Sequence, residues 1–182
     1  MMISRYSFFI KLRFLIVVIF NFSFSLFASS AFSFENLKDS LNHFGEPNYV
    51  KDFDDYRNQK FSPMFDLGAW HGFLLPEQPQ NYGSFTGPMV IAQEYGVYLS
   101  RNLEKLILKD QASGKVYDFA SAKSEIYSTS GTLFQQFEFN DLIVSLKLTF
   151  ASNRSALVIT QFLNKTESSK SLLLTLKGGL LN

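Results

Sequence analysis

From about Val90 onward, apolar and polar residues alternate with a period of two, and the alternation is broken at short intervals by turn-forming residues. Residues 103–109 predict a strand, Asp110-Gln111-Ala112-Ser113-Gly114 a turn, and residues 115–119 the returning strand of a hairpin. Residues 132–139 and 142–150 predict a second pair folded around Asn140-Asp141. In the latter segment Leu142, Val144, Leu146, Leu148 and Phe150 point one way, while Ser145, Lys147 and Thr149 point the other. A half-buried antiparallel strand requires that pattern. Residues 156–163 and 171–177 extend the series across the polar run 164–169, and Ser128-Thr129-Ser130-Gly131 reads as a turn. No strand-helix-strand rhythm interrupts it, so the expected fold is mostly β, an antiparallel β-sandwich. The series stops without closure, leaving an unpaired strand edge and an incomplete sandwich.

The first half is less regular. Leu37, Leu41 and Phe44 recur at helical spacing within residues 32–44, with Asn36 or Asp39 as caps, which predicts a short amphipathic helix ended by Gly45-Glu46-Pro47-Asn48. Asp52, Asp54 and Asp55 lie beside Lys51 and Arg57. They lack the glycine and the terminal glutamate of a calcium loop, and read as a solvated, salt-linked face. Residues 63–76 hold the only Trp, one of the two His, two Gly and two Pro, a mixture that suits neither a helix nor a clean strand. Proline fixes φ at both ends, while Gly68 and Gly72 permit positive φ or close approach. Residues 76–88 continue the irregular stretch, and loops of that combined length point to binding or an interface.

Within that loop Trp70 can act as a flat platform for a sugar ring, with Asp66 and His71 supplying directional hydrogen bonds. It can equally anchor the loop to the core, with His71 a satisfied donor. Tyr82 and Phe85 offer further contacts in the second loop, or pack.

Composition sets the outer bounds. The chain has 182 residues, enough for one domain, with 46% hydrophobic and 18% charged residues, as a globular protein has. Arg5, Lys11 and Arg13 lead into Phe14-Leu15-Ile16-Val17-Val18-Ile19-Phe20 and then small residues, so residues 1–31 read as a signal peptide cleaved after Ala31. The apolar run is diluted by Asn21, Ser23 and Ser25, short of the ~20 apolar residues of a membrane span, and a membrane enters only if the leader stays uncleaved. Removing those three basic residues turns the net charge of +1 into −2, which gives no field for nucleic acid. The absence of cysteine excludes disulfides, thiolate metal sites and a lipidated cysteine. His43 and His71 alone make a poor zinc set, so neither metal nor cofactor is expected. The expected location is periplasmic or secreted.

Phe65-Asp66-Leu67-Gly68-Ala69-Trp70-His71-Gly72, followed by Leu74-Leu75-Pro76, resembles the N-terminal domain of bacterial α-glucosidases of glycoside hydrolase family 63, relatives of the processing glucosidase. The resemblance runs upstream through Gly45, Pro47, Tyr49, Lys51 and Asp52 and downstream through Gly87, Glu94-Tyr95 and Phe150-Ala151, covering residues 42–182. It implies a front portion of a larger enzyme, in which the chain completes the sandwich and then enters a helical barrel that carries both catalytic carboxylates. Inverting glycoside hydrolysis needs two such acids about 6.5–9.5 Å apart. No position here matches them, although Asp66, Glu94 and Glu46 fall within matching motifs, so no catalytic residue is assigned. Asp66, Trp70, His71, Tyr82 and Glu94 are the candidate sugar-binding or domain-interface residues. The expected partners are the helical barrel and an α-glucoside oligosaccharide. Three functions follow: a glycosidase N-terminal domain inactive by itself, a free-standing exported carbohydrate-binding module, and a membrane-tethered fragment whose leader is retained.

Overall fold

The computed structural model describes residues 38–50, 53–55, 58–92, 95–102 and 104–181. The leader, Leu37, Lys51, Asp52, Arg57 and Glu94 lie outside the described residues, as do the side chains of Asp54 and Asp55. Among the described residues every sheet is antiparallel, beside two single-turn 3-10 helices and one isolated parallel bridge between Phe44 and Leu75. The strands are β1 (Phe53–Asp55), β2 (Asn58–Gln59), β3 (His71–Leu74), β4 (Thr86–Ala92), β5 (Tyr95–Tyr98) and β6 (Lys105–Asp110). They continue with β7 (Val116–Tyr117), β8 (Lys123–Thr129), β9 (Thr132–Glu138), β10 (Leu142–Ser152), β11 (Ser155–Asn164) and β12 (Leu172–Lys177).

Three larger sheets result, with strand orders β11-β10-β9-β8, β12-β6-β7 and β3-β4-β5, beside the small β1-β2 ribbon. β10 explains the first. Leu142, Val144, Leu146, Leu148 and Phe150 are all buried on one face, as the alternation requires. Burying each such side chain contributes roughly 1.5–3 kcal/mol. Opposite them stand Leu106 and Leu108 of β6 and Tyr117 of β7, in one cluster that also takes in Leu133, Phe137, Phe85 and Phe119. The two sheets therefore face each other across a shared core, as a sandwich does. A smaller cluster of Leu74, Met89 and Tyr98 holds the β3-β4-β5 sheet together.

The hairpin turns fall where glycine and aspartate allow them. β6 returns to β7 through Asp110, whose carboxylate accepts from the Ala112 and Ser113 amides. β8 meets β9 at Ser130-Gly131, with Gly131 at φ +79°.

The expected helix over residues 32–44 is not formed in its described part. Residues 38–41 make a turn and a bend, and residues 43–45 run extended, with the Gly45 amide donating to Leu75 O and the Leu75 amide to His43 O. Pairing with Leu75 takes the backbone groups a helix would use. Leu41, expected on the buried face, is 62% exposed. Asp39 instead ties this segment to β8, its carboxylate accepting from both the amide and the hydroxyl of Ser128.

A second difference lies in residues 63–88. Part of the expected irregular stretch is ordered strand, since β3 pairs with β4 through His71–Val90, Gly72–Met89 and Leu74–Thr86, with a bulge between the last two. The bulge and the glycines break the period of two, which hid the pairing from the sequence.

Candidate functional site

The Trp70 loop is closed at its base by an antiparallel bridge. Met64 donates its amide to Phe73 O at 2.8 Å and receives the Phe73 amide at 3.1 Å. At the tip, Leu67 and Gly68 take φ of +52° and +70°, and the Ala69 amide closes the turn on Asp66 O at 2.9 Å. Two successive positive φ values mark a primed turn, which glycine adopts freely and leucine at a cost. Asp66 offsets that cost, its Oδ1 accepting the Leu67 amide at 2.7 Å.

Trp70 follows this turn. Its carbonyl accepts from the Ile91 amide at 3.2 Å, so the backbone is fixed to β4. Its side chain is nevertheless 70% exposed, and Leu67 beside it is 56% exposed. Of the two readings of Trp70, the core anchor is therefore overturned. Ala69, the preceding residue, packs on the main core in its place. What reaches solvent is an apolar tip mounted on a hydrogen-bonded stalk.

His71 points to the other side. Its ring lies 5.8 Å from that of Phe73 and 5.3 Å from that of Phe150, and it makes no hydrogen bond to the described residues. The expected role of satisfied donor is not what the ring does here; it packs. His43 has that role instead, its Nδ1–H donating to Ser62 O at 2.7 Å from a buried position.

Asp66, Trp70 and His71 are thus one local unit against the β8–β9 turn and the end of β10. Tyr82 is elsewhere. Its ring packs, tilted, at 5.7 Å against that of Phe137, six residues along the chain from Gly131, or roughly 20 Å at 3.3 Å per residue. It lines a groove of about 340 Å³ with Leu106, Val116, Tyr117 and Phe119. The structure therefore does not gather the expected residues into one pocket. Phe85 is core.

Two carboxylates do come together, at the turns on the far side. Asp141 receives Lys170 at 2.7 Å, Lys115 at 2.9 Å and the Tyr117 hydroxyl at 2.9 Å, while Asp110 lies 3.5 Å from the same Lys170. Lys170 holds Asp141 well below the usual carboxylate range, and the Ser113 amide does the same, less strongly, for Asp110. Burial, followed by the bond to Asp141, pushes the Tyr117 phenol up. A general acid for glycoside cleavage needs a raised pKa, and neither carboxylate has one. They clamp the β6–β7, β9–β10 and β11–β12 connections.

Sequence reasoning also missed Gln135. It occupies an inward position of β9, fully buried, where its Oε1 accepts from the Gly83 amide at 3.1 Å and its Nε2 donates to Ser84 O at 2.7 Å. A lone polar residue at an inward strand position was the available signal.

Among the described residues no group of three His, Cys, Asp or Glu is placed to hold a metal ion. The arrangement is that of an antiparallel β domain which displays an aromatic loop and carries its paired acids as ion-pair clamps. The family model described as the N-terminal domain of glucosidase YgjK matches residues 42–182, and the chain belongs to that family. The match begins at Asn42 and spans the Trp70 loop and every strand described above.

Proposed function

We propose that this chain is the non-catalytic N-terminal domain of an α-glucosidase of the glycoside hydrolase family 63 type, and that the Trp70 loop borders the sugar pocket of a helical barrel which supplies both catalytic carboxylates. The single observation that carries the reading is the exposed Trp70 on a rigid stalk, since a large apolar side chain held in water by its own backbone bonds is poised for a partner. Membership of the YgjK N-terminal family supports the glucosidase assignment. The ion-paired state of Asp110 and Asp141 supports a chain without catalytic acids of its own. Export to the periplasm or beyond, after removal of residues 1–31, completes the proposal; a membrane is involved only if that leader is retained.

The test is hydrolysis of a nitrophenyl α-glucoside by the purified chain. No turnover is expected. Turnover that disappears on changing Asp66, Asp110 or Asp141 to the amide would overturn the reading.

A second reading, a free-standing exported carbohydrate-binding module, draws on the same exposure of Trp70. It requires sugar to bind this chain without a barrel, and one fluorescence titration separates the two.

A further inference from the structure

The sheet β11-β10-β9-β8 buries one face in the core and turns the other outward. On the outward face the strand registers align side chains into rows, and one row runs Gln161, Ser145, Gln136 and Glu125 from β11 to β8. The first three are uncharged, and their side chains make no hydrogen bond to the described residues. Ser145, the smallest, stands on the inner strand β10 between the two amides. A hollow of about 540 Å³ opens over it, with Gln136, Gln161, Ile143 and Leu163 around the sides. Ile143 and Leu163 are themselves register partners, so an apolar step borders the polar row on one side. Phe134 borders it on the other, two residues from Gln136 on the same face, its ring 4.9 Å from that of Tyr127.

The charges of this face stand at its margins. Glu125 is held by Lys38 at 2.8 Å, and Glu138 by Lys165 at 2.9 Å and Lys123 at 3.3 Å. Lys147 is exposed on the same face but does not line the hollow. The solvated face of a sheet is where Lys and Glu normally stand. At the centre of this one stand a hydroxyl and two amides.

Those groups donate and accept hydrogen bonds from the same side chains. A ligand rich in hydroxyls does the same, and the apolar steps alongside suit the C–H faces of its rings. A phosphate or carboxylate would find no cation in the hollow, and a metal ion no carboxylate. An extended peptide would find no open edge at β10, which is paired on both sides. From Gln136 to Gln161 the row is about 10 Å long at about 4.8 Å per strand, the length of a disaccharide.

We propose that the outward hollow centred on Ser145 binds a neutral oligosaccharide, laid across β9, β10 and β11, at a site separate from the Trp70 loop. Ser145 lies five residues along β10 from Phe150, against which His71 of that loop packs, or roughly 17 Å at 3.4 Å per residue. The choice of a glucose oligomer among neutral saccharides rests on the glucosidase reading above. On that reading the hollow retains a long substrate beside the barrel that cleaves it.

The test is isothermal titration calorimetry of the full chain with maltohexaose, and with a galacturonic acid oligomer of the same length as the charged control. Saturable binding of maltohexaose is expected, with binding of the control at least about tenfold weaker, while the emission of Trp70 stays constant. Ser145→Leu fills the hollow and should abolish binding. Gln136→Ala combined with Gln161→Ala should weaken it about tenfold, as loss of two hydrogen-bonding groups does. All three side chains reach solvent, and circular dichroism establishes that each variant is folded. No binding by the folded wild-type chain, or equal binding of the two oligomers, would overturn the proposal. So would binding that survives in both variants while Trp70 emission shifts with the heat, because the sugar would then sit at the loop. The first two outcomes leave the glucosidase reading standing; that reading fails separately, by turnover of the nitrophenyl α-glucoside.

Discussion

The carboxylate of Asp66 lies over the backbone of Gly131, its Oδ2 only 2.7 Å from the point a Cβ at residue 131 would occupy. The Trp70 loop thus leans on the β8–β9 turn through a close contact that an added side chain would displace. Gly131 also sits at φ +79°, where an L-residue pays about 1–2 kcal/mol. Gly131→Ala should lower the melting temperature by roughly 2–8 °C at 2–4 °C per kcal/mol for a domain of this size. The carboxylate can rotate away, so adding Asp66→Ala should recover little of that loss. Thermal unfolding of the two variants and their combination checks the point; near-complete recovery would mean that the collision, and not the backbone, dominates.

Gly72 makes the complementary case. Its φ is not in the left-handed region, but a Cβ there would come within 2.7 to 2.9 Å of three carbons of the Phe65 ring. Gly72→Ala should cost about 1–3 kcal/mol, as overpacking does. Phe65→Leu in the same chain should restore part of it, giving a coupling energy above about 0.5 kcal/mol in urea unfolding. Simple additivity of the two changes would contradict the packing described.

Trp70→Ala, by contrast, should change stability by no more than about 0.5 kcal/mol, the range of exposed substitutions. A buried anchor of this size would cost about 3–5 kcal/mol. The denaturation midpoint separates the two outcomes.

The Asp141 cluster should give the chain an acid-labile clamp. The folded-state pKa of Asp141 is depressed, first by Lys170. Its contribution is therefore fully present above the unfolded carboxylate value of about 3.9, and is lost as pH falls below that toward the folded value. Asp141→Asn should lower the melting temperature by several degrees at pH 7, because the charged partners of a hydrogen-bonded carboxylate are left unpaired. The gap to wild type should narrow steadily from pH 4 to pH 2. Lys170 is shifted upward, chiefly by its bond to Asp141, so its share persists through neutral pH and fades only above the usual lysine range. A gap independent of pH across the acid range would remove the clamp from the account.

How far the sequence could be read depended on local physics. β10 was legible because one face of it is core from Leu142 to Phe150, and nothing interrupts its period. The β6–β7 and β9–β10 hairpins followed from their turn residues. β3 and β4 were not legible, because Gly72 and Gly87-Pro88 break the alternation and the pairing is bulged. The described part of the expected helix, residues 38–44, was misread because helical spacing of three apolar residues is outweighed by backbone pairing to a distant segment. Pairing of residues 43–45 with Leu75 lies thirty residues away and leaves no local mark. In the site, the sequence singled out the loop correctly as an ordered feature. It left open whether Trp70 faces out or anchors the loop, a choice made by the turn at Leu67-Gly68, which turns Trp70 to solvent and Ala69 to the core. It also placed Tyr82 in company the sheet denies it, since β9 separates the two aromatics along its length.

Trp70 is the only tryptophan, so its emission reports on the proposed pocket border without labelling. The central claim is tested most directly by titrating glucose oligomers to millimolar concentration while following that emission, first with this chain and then with the same chain continued into a family catalytic barrel. The account predicts a red, unresponsive signal from the chain alone and a saturable shift once the barrel is joined. A saturable shift from the chain alone would contradict it and make this a sugar-binding module in its own right.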